Sequence, residues 1–181
     1  MTGATIRPAC AEDVAALAAL KRATFRQAFV DGGFHIPYPA DDLAGFERAS
    51  YSVEAVATEL ADPQRMQWVA EADGRFIGYA HVGPAKLPHP DVSAGDGELY
   101  QLYLDDAAQG LGLGRQLLDI ALDHLAAARP GPIWIGVWSG NHRAQAIYAK
   151  RGFVKVGDYR FPVGEWHDDE FILRHEGAAR D

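Results

Sequence analysis

Gln109-Gly110-Leu111-Gly112-Leu113-Gly114 sets three glycines at alternate positions directly ahead of a helical pattern that begins near Arg115. Without a Cβ, glycine takes backbone conformations closed to other residues and lets a ligand approach the main chain. Unpaired amides at a helix start, reinforced by the helix dipole, then favour phosphate oxygens. The chemistry expected of this stretch is anion binding. A Walker loop would end in Gly-Lys-Ser/Thr, whereas Arg115-Gln116 follow Gly114 here. A dinucleotide fingerprint needs G-x-G-x-x-G straight after a strand; this turn reads G-x-G-x-G, four residues beyond the apolar run that ends at Leu104.

A second stretch, Asn141-His-Arg-Ala144-Gln-Ala-Ile147-Tyr148-Ala-Lys-Arg-Gly152-Phe153, reads as a helix capped by Asn141 and stopped by Gly152. The first stretch resembles the acyl-CoA loop of the GCN5-related N-acetyltransferase (GNAT) family, Gln/Arg-x-x-Gly-x-Gly/Ala. The second resembles that family's Asn-x-x-Ala-x-x-x-Tyr-x-x-x-Gly-Phe signature. The likeness is strong over 98–156 and elsewhere rests on the order of elements. It implies acetyl-CoA as cosubstrate, with the amides of Gln109, Gly110, Leu111, Gly112, Leu113, Gly114 and Arg115 on the pyrophosphate. It also implies that Leu102, Tyr103 and Leu104 pair with the pantetheine arm, and that Asn141 and Tyr148 face the cofactor. Of the cations at 115, 143, 150 and 151, only Arg115 is assigned a CoA contact; the usual role of the others is a solvated helix face.

The reaction itself sets further demands. An alkylamine attacks a thioester through its neutral lone pair, yet lysine-like amines have a pKa of about 10.4 and are protonated at neutral pH. A base is needed. Glu98, at the head of the strand and expected on one face with Tyr100 and Leu102 by the period of two, is the candidate, directly or through water; the alternative is a solvent-facing carboxylate. The leaving thiolate gains from a proton or hydrogen bond, which Tyr148 can give, the alternative being a core aromatic. A backbone N–H near Leu104 is expected to meet the oxyanion. Seven histidines show no metal-binding spacing, so no metal is expected, and His167-Asp168-Asp169-Glu170 reads as an acidic hairpin turn that could help recruit an amine.

These groups need a scaffold. Thr5 to Ala9 reads as an edge strand stopped by Pro8, and a helix from Glu12 or Asp13 carries Val14, Leu17, Ala18 and Lys21 at helical spacing, continuing toward Phe25 and Phe29. Asp31 to Pro39 is an aromatic loop whose Phe34, His35 and Tyr38 either line a pocket or cover the core edge. Short helices start at Asp41-Asp42 and at Ser52. Met66–Ala70 and Phe76–Val82 form a hairpin at Asp73-Gly74. Residues 84–97 read as a surface connection without evident chemistry. A helix from Leu113 ends at Pro130-Gly131, Ile133–Trp138 is a buried parallel strand, and 153–156, Tyr159–Val163 and Phe171–Arg174 are strands.

Bulk properties agree. A chain of 181 residues suits one domain, 1–181, that buries roughly 70% of its unfolded surface. With 48% apolar and 23% charged residues it is globular in composition. A net charge of −8 disfavours nucleic acid and anionic membranes and mildly favours cationic substrates. Cys10 is alone, and the stretch MTGATIRPAC has no export pattern, so a cytoplasmic setting is expected. The expected fold class is α/β, a GNAT-like mixed, twisted sheet of about seven strands flanked by helices on both faces. The expected activity is transfer of an acetyl group from acetyl-CoA to a primary amine by direct attack on the thioester, with a small, polyamine-like acceptor favoured and the branch that includes polyamine acetyltransferases the nearest likeness. A protein or peptide amine acceptor, or a non-catalytic acyl-CoA sensor, are the alternatives. A homodimer is common in the family.

Overall fold

Pro8 closes the first strand at the sheet edge, where its missing N–H costs no ladder bond. A computed structural model describes residues 3–177; the ends of the expected 1–181 domain, including the first two residues of the N-terminal stretch, lie outside the described residues. Thr5–Pro8 is β1, Val14–Phe25 is α1, and a π-helical stretch, Arg26–Asp31, prolongs α1 past Phe29. Ala40–Tyr51 (α2) and Val53–Ala61 (α3) follow. Ser52 Oγ accepts the Ala55 amide at 3.2 Å, which caps α3. Met66–Ala72 (β2) and Arg75–Pro84 (β3) turn at Asp73 and Gly74 with φ of +49° and +73°, the two positive values a tight hairpin requires. Then come Gly97–Leu104 (β4), Leu113–Ala128 (α4), Ile133–Trp138 (β5), His142–Ala149 (α5), Val154–Val163 (β6) and Trp166–His175 (β7).

The seven strands form one mixed sheet in the order β1-β2-β3-β4-β5-β7-β6, with β4 and β5 parallel and the other pairs antiparallel. Leu117, Leu118, Ala121 and Leu125 of α4 pack on one face against Ala80, Leu99, Ile133 and Ile135, joined by Tyr148 and Phe153. Leu17 and Leu20 of α1 and Val56 of α3 cover Val69 and Tyr79 on the other. Helices therefore flank both faces, as the sequence pattern implies. Lys21, on the buried stripe of α1, is fully buried and holds Glu59 of α3 at 2.6 Å, the partner a buried charge needs.

One irregularity organises the centre. The β3–β4 register passes from His81↔Gln101 to Val82↔Leu99, so Tyr100 is an extra residue in β4. A β-bulge breaks the alternation of side chains and bends its strand. Leu99, Leu102 and Leu104 consequently pack on the α4 side, while Tyr103 packs beneath α1. The expectation that Glu98 shares a face with Leu102 is thus corrected: strict period two fails at the bulge, and Leu102 lies on the opposite face. Beyond the bulge β4 and β5 part. They pair only at Gly97, Glu98 and Leu99, and the later residues of β5 pair with β7.

Two further expectations are revised. The 84–97 connection is not merely superficial: Leu87 is buried against Trp134 and Ile172, the Lys86 and Leu87 amides donate to Glu98 Oε2, and Asp96 Oδ2 accepts Trp134 Nε1–H at 2.7 Å. At the C-terminal end, the segments 153–156 and 159–163 merge into the continuous β6 across an irregularity near Lys155 and Gly157. The turn is only Gly164-Glu165, so His167-Asp168-Asp169-Glu170 belongs to β7 rather than to a hairpin turn. Cross-strand pairing with β6, not the polarity of the run, decides its state.

Candidate active site

The splay of β4 from β5 opens a cleft of about 1190 Å³ that runs from the π-helical stretch across β4 to the starts of α4 and α5. Its wall includes Leu102, Tyr103, Leu104, Gln109, Gly110, Gly112, Gly114, Arg115, Asn141 and Tyr148. Leu111 and Leu113 do not line it: Leu111 projects into solvent and Leu113 is buried in the core. Any contribution from those two is through the main chain.

Gly110 and Gly112 sit at φ of +82° and +78°, and a Cβ on either would meet no atom within 4 Å. The loop is thus a cradle that faces open space. Among the described residues the six successive amides from Gly110 to Arg115 donate to no acceptor; the first helical bond of α4 is from Gln116 N to Gly112 O at 3.2 Å. That is the arrangement a diphosphate would satisfy, so the residues present fit the CoA that the motif implies. Arg115, Arg143, Lys150 and Arg151 all line the same cleft, although Arg151 is tied to Asp119 and Arg143 Nη1–H is given to Gln109 Oε1. Asn141 Oδ1 accepts the Ala144 amide at 3.0 Å as the cap of α5, which leaves its Nδ2 as the group free to reach a ligand.

The β4 backbone has a defined polarity here. The Asp105 amide donates to Ile77 O of β3 at 2.9 Å, so by strand alternation the Leu104 N–H points the other way, into the gap left by β5. Phe34 of the aromatic loop lines the cleft and packs tilted against Trp138 with ring centroids 4.4 Å apart, whereas His35 is exposed and Tyr38 gives its hydroxyl to Asp168 Oδ2 at 2.5 Å.

A smaller cavity of about 320 Å³ adjoins the cleft on the α1 side of β4. Leu102, Tyr103, Asn141, Ala144 and Tyr148 border both spaces. Glu98, Tyr100, Tyr159, Phe161, Asp168 and Glu170 complete much of its wall. Glu98 is 5% exposed and accepts the Lys86 and Leu87 amides at 2.7 and 3.2 Å. Burial lifts its pKa to about 7, against the opposing pull of those amides and of Lys86. Burial likewise pushes the Tyr148 hydroxyl up to about 12. Glu170, held by the Tyr159 hydroxyl, is raised to about 7 by burial, with Asp168 and Glu98 adding to the rise. Glu170 was legible only as part of an acidic run that could help recruit an amine, and Tyr159 and the amides that hold Glu98 were not legible as site residues. The signal was the alternation of Asp168, Glu170 and Ile172, which marks a strand face once the turn at Gly164 is known.

Among the described residues no group of metal-binding side chains occurs, and no helix is long and apolar enough to cross a membrane. The model of the acetyltransferase (GNAT) family matches residues 34–153. An uncharacterized N-acetyltransferase of Lactobacillus delbrueckii subsp. lactis is 27% identical over 174 residues, 96% of this chain and 98% of that one. A second, from Mycobacterium bovis, is 34% identical over 136 residues, 75% of this chain and 83% of its own. In shape the chain is similar to the PaiA N-acetyltransferase of Thermoplasma acidophilum solved in complex with coenzyme A, with a TM-score of 0.73 at 21% identity over 97% and 99% of the two chains. The open glycine cradle, the parted central strands and these relatives lead to one conclusion: the chain belongs to the GNAT acetyltransferase family and is an acetyl-CoA-dependent N-acetyltransferase.

Proposed function

We propose that the acceptor is a small primary amine of the polyamine type, bound in the 320 Å³ cavity and acetylated where that cavity meets the cleft at Tyr148. The observation that carries this reading is the contact of α2 with the β6–β7 arm, two walls of the cavity that meet each other and narrow it. Asp42 of α2 accepts the Glu165 amide at the tip of the β6–β7 turn at 3.0 Å, and Phe46 packs edge-on to Phe161. The lining is mostly aromatic and acidic, with Lys86 and His81 as its basic groups, a balance that suits an alkylammonium.

Acetyl-CoA supplies the activated carbonyl. The amides of 110–115 anchor its diphosphate, and Leu102 and Leu104 offer main-chain groups to the pantetheine arm. Glu98, ionised, accepts a proton from the bound ammonium and so frees the lone pair. The Leu104 N–H, turned into the gap beside β5, is the donor this reading gives to the oxyanion. Tyr148 presents a neutral O–H to the sulfur. The test is a thiol-release screen of the purified protein with acetyl-CoA against polyamines, amino acids, aminoglycosides and peptides. Small polyamines are expected to give the fastest release, and release with peptides alone would overturn the small-acceptor reading.

The loop is tested separately. Alanine at 112 would meet no clash, so its cost is that of holding a Cβ at φ +78°, about 1–2 kcal/mol. Relaxation out of that conformation turns the amides away from the ligand. Gly112→Ala is therefore expected to weaken CoA binding about tenfold by calorimetry, and an unchanged Kd would remove the loop amides from the binding site.

A further inference from the structure

We propose that Glu170 of β7 is a second acceptor-binding carboxylate, which together with Glu98 clasps the amine across the bare backbone of Gly136 and so selects acceptors that carry an ammonium group. This rests on reading the smaller cavity as the acceptor site.

The two acids approach from opposite sides of β5. Glu98 pairs with Trp134 on the β4 side, while β7 runs along the other edge of β5 with Ile172 opposite Gly136 and Glu170 opposite Trp138. Gly136 is the gap between them. A Cβ there would lie 2.6 Å from Tyr159 Oη, 3.1 Å from Glu170 Oε2 and 3.2 Å from Leu87 Cδ2. Leu87 is the residue whose amide holds Glu98. Any other side chain at 136 would thus crowd Tyr159, Glu170 and Leu87, and Glu98, Gly136, Tyr159 and Glu170 all border the cavity.

Neither acid forms an ion pair among the described residues, although Lys86 borders the same cavity and pulls on Glu98 from a distance. Glu98 Oε2 takes two amides and Glu170 Oε2 takes the Tyr159 hydroxyl, while Oε1 of each has no hydrogen-bond partner among the described residues. Two sequestered carboxylates facing one space repel each other when both are ionised. An ammonium ion placed between them brings three N–H donors and a positive charge, so one carboxylate can hold an N–H while the other takes a proton. Asp168 cannot share the task in the same way, since its oxygens already accept Tyr38 O–H and Trp166 Nε1–H. Tyr159 fixes Glu170 toward the gap rather than neutralising it.

The experiment compares wild type with Glu170→Gln at about pH 7.5, using putrescine as a charged acceptor and aniline as an uncharged one. KM is measured for each, or Ki where the amine only competes, and CoA affinity is measured by calorimetry. Glu170→Gln is expected to raise the putrescine value about tenfold or more. The kcat should stay within about threefold, and the aniline value and the Kd for CoA should not change. Glu170→Asp, which withdraws the charge by one methylene, should give the same split more weakly if the glutamine variant loses CoA binding through misfolding. An equal rise for both amines would reduce Glu170 to a strand-tying residue, and no rise for putrescine would remove it from the site; either result overturns the proposal. Failure of wild type to release CoA with any amine would instead sink the acceptor reading beneath it.

Discussion

Tyr148→Phe is expected to lower kcat about a hundredfold to a thousandfold while the calorimetric Kd for CoA stays within about twofold. The Tyr148 ring is part of the core beside Phe153, with centroids 6.1 Å apart, and its hydroxyl has no hydrogen-bond partner among the described residues. Phenylalanine therefore keeps the packing and leaves no buried group unpaired, so the fold should be indifferent to the change. The magnitude follows from what the hydroxyl can do. With its pKa pushed up to about 12 by burial, full transfer of its proton to a thiolate of about 8.5 is uphill by about 5 kcal/mol. Its contribution is a hydrogen bond to the sulfur as charge develops there, present in the transition state and weak in the ground state. Turnover equal to wild type would return Tyr148 to the role of a core aromatic.

Glu98→Gln is expected to cost about a hundredfold or more in kcat/KM and to remove one of the two carboxyl ionisations near 7 from the pH profile, leaving that of Glu170. In wild type the base works as the carboxylate, so kcat/KM should rise with pH through about 7, the value to which burial lifts this group. The same displacement has an opposite sign for stability. A carboxyl whose folded pKa lies above its unfolded value of 4.5 holds its proton more tightly in the native state. Its contribution is therefore fully present below about 4.5 and is lost as pH climbs to about 7, a loss of about 3 kcal/mol. Glutamine cannot ionise yet still offers an oxygen to the Lys86 and Leu87 amides. At pH 8 the variant should melt at or above the wild-type temperature, while at pH 4 the two should coincide. A wild-type profile flat between pH 6 and 8, or a glutamine variant whose profile keeps both ionisations, would assign the base elsewhere.

Local chemistry made the short-range elements around the candidate site readable in advance. The glycine cradle, the Asn141 cap, the Asp73-Gly74 turn and the amphipathic α4 each depend on residues a few positions apart, and conformational preference acts at that range. What the letters withheld was set across strands. The bulge at Tyr100 exists only in the pairing of β4 with β3, and it moved Leu102 to the face opposite Glu98. A polar run at 167–170 reads as a turn until β6 supplies its partners, after which Glu170 lies beside Gly136 at the cavity that Glu98 also borders. The 84–97 connection gained its chemistry in the same way, by laying two amides on a carboxylate eleven and twelve residues further on. The glycine turn and the tyrosine helix follow from the letters alone, because both are short-range structures. Which acids border the smaller cavity was settled by the folded chain, because the register between strands depends on packing and hydrogen bonds between segments far apart in the chain.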